Sequence, residues 1–235
     1  MINVRKRQDR GVSRLDWLES FHTFSFGNYQ DPDHKGFKTL RVINEDVVAP
    51  GKGFATHAHD NMEIISYVLE GVLSHKDSMG NGSLIRPGDV QRMSAGTGVT
   101  HSEFNPSDQA PVHFLQIWVL PDTRDVTPSY AQKTFSSAQK QDQFCLVASK
   151  QGRDGSLTLH QDVDMWIATL ERGKTLTYTP SPNRCLWVQL AKGEITLNGH
   201  PLRAGDGAAI GHEPSVLFEG ITASEILVFD LKQGP

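Results

Sequence analysis

The sequence predicts an all-β protein: two tandem antiparallel β-barrels of the jelly-roll type, with short helical or irregular connections. Three observations predict it. The β-branched and aromatic runs are short and are bounded by Gly, Pro, Asn and Asp. The outline of strands and turns in the first half returns in the second, as a unit of about a hundred residues. Hydrophobic residues make up 37% of the 235 positions, enough for packed cores. No run approaches the roughly 18 apolar residues of a membrane-spanning helix.

Taken in order, the chain opens on a basic stretch, Met1 to Arg7, with no apolar region behind it. That reads as a solvated edge and not as a secretory signal. From Phe21 the side chains alternate, with His22, Phe24 and Phe26 on one face, which predicts a strand over 21–26. His22 there is either a pocket residue or a histidine packed beside aromatics. Asp31-Pro32-Asp33 is a turn. Residues 39–48 read as a strand that ends at Pro50-Gly51, and residues 63–70 as a strongly β-prone run ending at Gly71. His75 follows and is expected in an exposed hairpin, residues 77–82, rich in turn formers. A turn at 86–89 and a strand at 90–93 lead through Gly96 and Gly98 to His101. Residues 111–120 form one more strand, with Phe114, Gln116 and Trp118 on one face.

The polar, Pro-containing stretch 121–129 is the expected linker, so the expected domains are residues 1–125 and 126–235. In the second half, residues 186–190, Gly193, residues 194–197 and Gly205-Asp206 echo residues 67–69, Gly71, the hairpin and Gly88-Asp89. Asn198-Gly199 is a two-residue hairpin signal. The net charge of -4 argues against a nucleic-acid surface. Cys145 and Cys185 lie far apart with no C-x-x-C, which fits a reducing cytoplasm and gives no disulfide framework. No membrane partner is expected, and a monomer is.

The chemistry concentrates in two short stretches. His57 and His59 stand at spacing i, i+2, and so do His101 and Glu103. On a strand, residues two apart share a face, so each pair aims into one space. With ten His in the chain, chance supplies roughly half an H-x-H, so neither pair is informative alone. Each, however, adjoins a strand-like run and a Gly-rich turn. Side by side in a barrel, three imidazoles and a carboxylate would converge, a donor set for a transition metal with open positions. The alternative is a set of surface histidines near a hairpin end. His160, His200 and His212 are scattered and read as non-ligands, so the metal is expected in the first barrel alone.

The pattern Gly51-x5-His57-x-His59-x3-Glu63 resembles the first cupin motif, and Gly98-x2-His101-x3-Asn105 the end of the second. Glu63 stands one residue nearer the His pair than the glutamate of that motif, and Gly96 replaces the proline before the second-motif glycine. A one-residue slip turns a strand side chain to the other face. Glu103, two residues after His101, can take the place of Glu63. That rearrangement resembles the pirin family of bicupins. So do Phe21-His-Thr-Phe-Ser-Phe-Gly-Asn-Tyr29, Asp77-Ser-Met-Gly80 and Met93-Ser-Ala-Gly-Thr-Gly-Val-Thr-His-Ser-Glu-Phe-Asn105, and the resemblance covers essentially the whole chain.

The resemblance implies an N-terminal barrel binding one divalent transition metal through His57, His59, His101 and Glu103, with Fe(II) first and Mn, Co, Ni, Cu or Zn as alternatives. It implies a metal-free C-terminal barrel. It also implies an oxidoreductase using dioxygen, a quercetin 2,3-dioxygenase that opens a flavonol ring with loss of carbon monoxide. Glu103 would then serve as catalytic base as well as ligand, and His22, Phe24 and Phe26 are candidates for the pocket wall. The rival implication is an iron-binding regulatory protein that acts through a protein partner.

Overall fold

The computed structural model describes residues 1–233. They divide into two compact units: an N-terminal unit of Gly11–Thr134 with Leu159–Gln161, and a C-terminal unit of Met1–Arg10, Phe135–Thr158 and the residues from Asp162 onward.

The first strand, β1 (Ile2–Arg5), belongs to the C-terminal unit. The N-terminal unit holds β2 (Gly11–Leu15), β3 (Leu18–His22), β4 (Leu40–Val48), β5 (Gly53–His59), β6 (Glu63–Glu70) and β7 (Leu73–Asp77). It continues with β8 (Gly82–Ile85), β9 (Asp89–Ser94), β10 (Val99–Phe104), β11 (Val112–Val119) and β12 (Ser129–Thr134). These form a seven-stranded sheet in the order β12-β9-β6-β11-β4-β3-β2 and a four-stranded sheet in the order β5-β10-β7-β8.

After a single helical turn, α1 (Ser137–Lys140), come β13 (Cys145–Ser149), β14 (Leu157–Thr158), β15 (Val163–Leu170), β16 (Thr175–Tyr178) and β17 (Arg184–Lys192). The last strands are β18 (Glu194–Leu197), β19 (His200–Arg203), β20 (Gly207–Gly211), β21 (Val216–Gly220) and β22 (Ser224–Lys232). Their sheets run β1-β20-β17-β22-β15-β13-β14 and β16-β21-β18-β19. The expected repeat is thus present, with β9-β6-β11-β4 matching β20-β17-β22-β15 and the two four-stranded sheets matching each other. In each unit hydrogen bonding builds two sheets, not one closed barrel, which is how a jelly roll buries its inner faces.

Local sequence explains the central strands. In β6, residues 63–69 are all buried, as an apolar run covered on both faces should be. Asn198 and Gly199 both take positive φ, 44° and 80°, and make the tight β18–β19 hairpin that an Asn-Gly pair favours. Two expectations fail. The strand predicted over 21–26 ends at His22, because the Thr23 amide turns to the Ile43 carbonyl and the Ser25 amide to that of His34. His75 is not in an exposed hairpin: it lies in β7, fully buried, because β7 pairs with β10 and places His75 opposite Glu103.

Between the sheets of the C-terminal unit, Leu186, Val188, Leu197, Val216, Phe218 and Val228 pack into an apolar cluster. In the N-terminal unit one cluster forms around Val68, Leu73 and Phe114 and another around Ile64, Met93 and Val99. Polar residues fill the positions between them. Ser66 stands between Ile64 and Val68 on β6, and Gln116 between Phe114 and Trp118 on β11. His22, Asn44, Gln116, Ser66 and Gln91 are register partners in turn, so the polar row crosses five strands.

Opposite that row, β5 runs very close to β10. A Cβ built on Gly53 would lie 2.2 Å from the Glu103 carbonyl oxygen. Gly53→Ala is therefore expected to force the two strands apart and to lower stability by about 1–3 kcal/mol, read as a drop in melting temperature in thermal unfolding.

Candidate metal centre

Strands β5 and β10 are antiparallel, with His101 opposite His57 and Val99 opposite His59. The register then shifts, and Glu103 falls opposite Phe54. Two residues of β5, Ala55 and Thr56, thus answer one of β10, Ser102, a bulge of the kind that re-aims side chains beside functional sites. Strand alternation directs His57, His59 and His101 to one side, and the bulge adjusts their aim.

The structure brings these three together. The Nε2 atoms of His59 and His101 are 3.0 Å apart, and those of His101 and His57 3.1 Å. All three histidines offer ring nitrogens within 4.8 Å of one another. The His57 Nδ1 lies 2.8 Å from the Ala55 carbonyl oxygen, to which it must donate, so its Nε2 carries the lone pair. Burial first, and then the neighbouring imidazoles, push His59 down to about 4 and His101 down to about 3. Both rings are therefore neutral at ordinary pH, as metal ligands must be. Neutral imidazole nitrogens converging in a partly buried space fit a divalent transition metal.

Glu103 lies on the same strand but does not join all three histidines within that 4.8 Å limit. Its Oε1 accepts a hydrogen bond from the Ser66 hydroxyl at 2.9 Å, and its Oε2 one from the Gln116 amide at 2.6 Å. Burial pushes its carboxyl up to about 7 against the pull of those two donors. Glu63, turned away from the cluster, instead accepts from Ser94 at 2.9 Å and pairs with His160 at 3.2 Å. His160 is thus held by Glu63, His200 is exposed, and His212 bonds to Gln233 at 2.8 Å.

Sequence reasoning missed His75. Its Nε2 bonds to Asp77 Oδ2 at 3.0 Å, and its ring centroid lies 5.3 Å from that of His101. His75, His101 and Glu103 form a second, fully buried set of ligand-type atoms within 4.8 Å of one another. The spacing of His75 and Asp77, i and i+2 on a strand, was the available signal.

A cavity of about 470 Å³ opens beside the cluster, lined by His57, Glu103 and Gln116 with Phe26, Phe54 and Trp118 among the aromatic walls. That volume is within the range of small-molecule sites. Trp118 packs edge-on to both His59, at 5.0 Å, and Phe26, at 5.4 Å. Of the three expected wall residues, His22 and Phe26 line the cavity; Phe24 is buried in the core. Asp46, which the sequence did not single out, lines it as well, and burial pushes its carboxyl up to about 7 despite the nearby Ser20 hydroxyl.

Two jelly-roll units, one with a histidine cluster on its β5–β10 pair, define a bicupin. Residues 3–119 match the family described as Pirin, and residues 146–231 match the Quercetinase C-terminal cupin domain. The chain belongs to the pirin family. It is 45% identical to a quercetin 2,3-dioxygenase of Escherichia coli over 98% of this chain and 99% of that protein. It is also similar to the structure of a bacterial pirin of Escherichia coli in complex with nickel(II), with a TM-score of 0.94, 44% identity and 99% of each chain covered. A quercetin 2,3-dioxygenase structure from Acinetobacter baumannii, 19% identical, shares the fold with a TM-score of 0.79 over 98% of this chain and 86% of that one.

The raised carboxyl of Asp46 fixes the sign of a pH effect. A folded-state value of about 7 against 3.8 for the free group means that the folded protein holds a proton the unfolded chain releases. The contribution of Asp46 is favourable below the free value and is lost as pH rises through the folded one. Asp46→Asn, which cannot ionise, is expected to melt a few degrees higher than the parent at pH 8 and by much less at pH 4, as scanning calorimetry at the two pH values would show.

Proposed function

We propose that this protein is a metal-dependent dioxygenase that opens the ring of a flavonol such as quercetin with loss of carbon monoxide. One observation carries the reading: three imidazoles converge beside an aromatic-lined cavity, which His57 lines and which is large enough for a flat, two-part aromatic molecule. The 45% identity to a protein named quercetin 2,3-dioxygenase supports it. A flat, solvated cluster would have favoured a regulatory metal sensor, and the aromatic-lined cavity beside this one favours the enzyme.

His57, His59, His101 and Glu103 would hold one divalent ion, Fe(II) in our reading, although the Escherichia coli relative was seen with nickel(II). When bound, the ion supplies Lewis-acid polarisation of the substrate's hydroxyl and carbonyl oxygens and a common centre for the reactants. The chain's own groups do the rest. Phe26, Phe54 and Trp118 orient the flat rings and exclude water. Glu103 accepts the proton of the substrate hydroxyl on a carboxylate oxygen. Burial has already raised its proton affinity toward neutrality, where a base is most effective. Ser66 and Gln116 hold the carboxyl in place before and after the transfer.

Protein loaded with Fe(II) is expected to consume oxygen and release carbon monoxide when given quercetin. His59→Ala should lose both metal and turnover, while Glu103→Gln should keep measurable metal and lose at least about 100-fold in turnover. Oxygen-electrode traces of the three proteins, reconstituted with each candidate metal in turn, decide this. Uptake that persists in Glu103→Gln would remove the base role.

Ligation by Glu103 has its own signature. A proton on Glu103 competes with the ion, so metal affinity should fall as pH drops through about 7, with one proton released on binding. Calorimetric titration of nickel(II) between pH 5 and 8 measures this fall, and Glu103→Gln should make it shallower by the carboxyl's share.

A further inference from the structure

The cavity has a polar side that the metal cluster does not account for. Ser20, His22, Asn44 and Asp46 line it from β3 and β4. His22 is engaged at both nitrogens, with Asn44 Oδ1 at 2.9 Å and Ser13 Oγ at 2.8 Å. Asp46 is not so engaged: its Oδ1 is buried with no hydrogen-bond partner. A buried polar atom left unpaired costs about 1–3 kcal/mol, and this one lies in the wall of the cavity, where a bound group can reach it. The fold does not require it here. The matching strand of the C-terminal unit, β15, gives Trp166 and Leu170 to an apolar core.

Register places Asp46 relative to the rest. Asn44 pairs with Gln116, whose amide holds Glu103, and Asp46 is the next residue on the same face of β4, opposite Ser20 of β3. Asp46 therefore stands one row beyond the Glu103 row in the same cavity. A group bonded there belongs to the same bound molecule but not to the pair of oxygens that meets the histidines.

We propose that Asp46 is a specificity residue: its carboxyl, beside the Ser20 hydroxyl, binds a ring hydroxyl of the substrate away from the metal-facing oxygens. The inference rests on the flavonol reading above and narrows it to polyhydroxylated flavonols. A hydroxyl can donate to a carboxylate or accept from a carboxylic acid, so the contact serves in either protonation state. Its selectivity comes from the empty case. An analogue without that hydroxyl leaves the buried oxygen of Asp46 unpaired in the complex, the arrangement by which a polar site rejects an otherwise matching ligand.

The test is equilibrium binding to nickel(II)-loaded protein without oxygen, followed by calorimetry. The two probes are quercetin and 3-hydroxyflavone, which keeps the metal-facing oxygens but has no other hydroxyl. The unaltered protein should prefer quercetin by about tenfold or more. Asp46→Ala should weaken quercetin by about tenfold and leave 3-hydroxyflavone within about twofold. Asp46→Asn, which still donates and accepts, should restore most of the preference. Asp46→Leu, close in shape but without oxygens, gives the same reading if the alanine variant does not fold. A quercetin preference that survives in both Asp46→Ala and Asp46→Leu overturns the subsite and leaves the flavonol reading intact. Failure of the unaltered, metal-loaded protein to bind either compound overturns both.

Discussion

Burying a carboxyl group inside a β-sandwich is costly unless hydrogen-bond donors are buried beside it, and for Glu103 that constraint organises the N-terminal unit. Ser66 on β6 and Gln116 on β11 each give a donor to Glu103. The two strands are adjacent and central, so the donors interrupt the middle of what would otherwise be one core. The apolar residues fall on either side, in the two clusters. The C-terminal unit repeats the same strand order, and there Leu186, Val188 and Val228 of the corresponding strands β17 and β22 pack into an apolar cluster. The shared topology supports either interior, so the polar row belongs to the site and not to the fold.

Much of the site was legible because it is local. His57 and His59, and His101 and Glu103, are each two residues apart on a strand, and strand alternation alone brings each pair to one face. Phe114, Gln116 and Trp118 were placed on one face by the same rule. What could not be read depends on pairing across strands. His75 looked exposed because turn residues follow it at once; its burial comes from β10 lying over β7. Asp46 passed unnoticed because its meaning lies in its neighbours, Ser20 on one side and the Asn44–Gln116 row beside it. The local trace was nevertheless there: Asn44 and Asp46 stand two apart in a strand otherwise rich in Val, Leu and Ile.

The electrostatics of the cluster point one way. Burial and crowding keep His59 and His101 neutral, while burial drives Glu103 and Asp46 toward holding their protons. Charge is therefore disfavoured on all four groups, and the space is rich in lone pairs. A divalent cation reverses those preferences: it rewards every bare nitrogen and favours the ionised carboxylate. A site arranged in this way discriminates by charge before it discriminates by size.

The sheet edges set a limit on taking this protein apart. β1, at the very start of the chain, is the outermost strand beside β20, while every other strand of that sheet lies beyond residue 144. A fragment begun in the 121–129 stretch would carry the C-terminal sheet with β20 stripped of its neighbour. Its unpaired amides and carbonyls would then be open to any passing strand. Genetic dissection at the midpoint would thus yield an aggregation-prone half. A permuted chain that returns residues 1–10 ahead of residue 135 through a short linker would be the smallest self-sufficient version of the second unit.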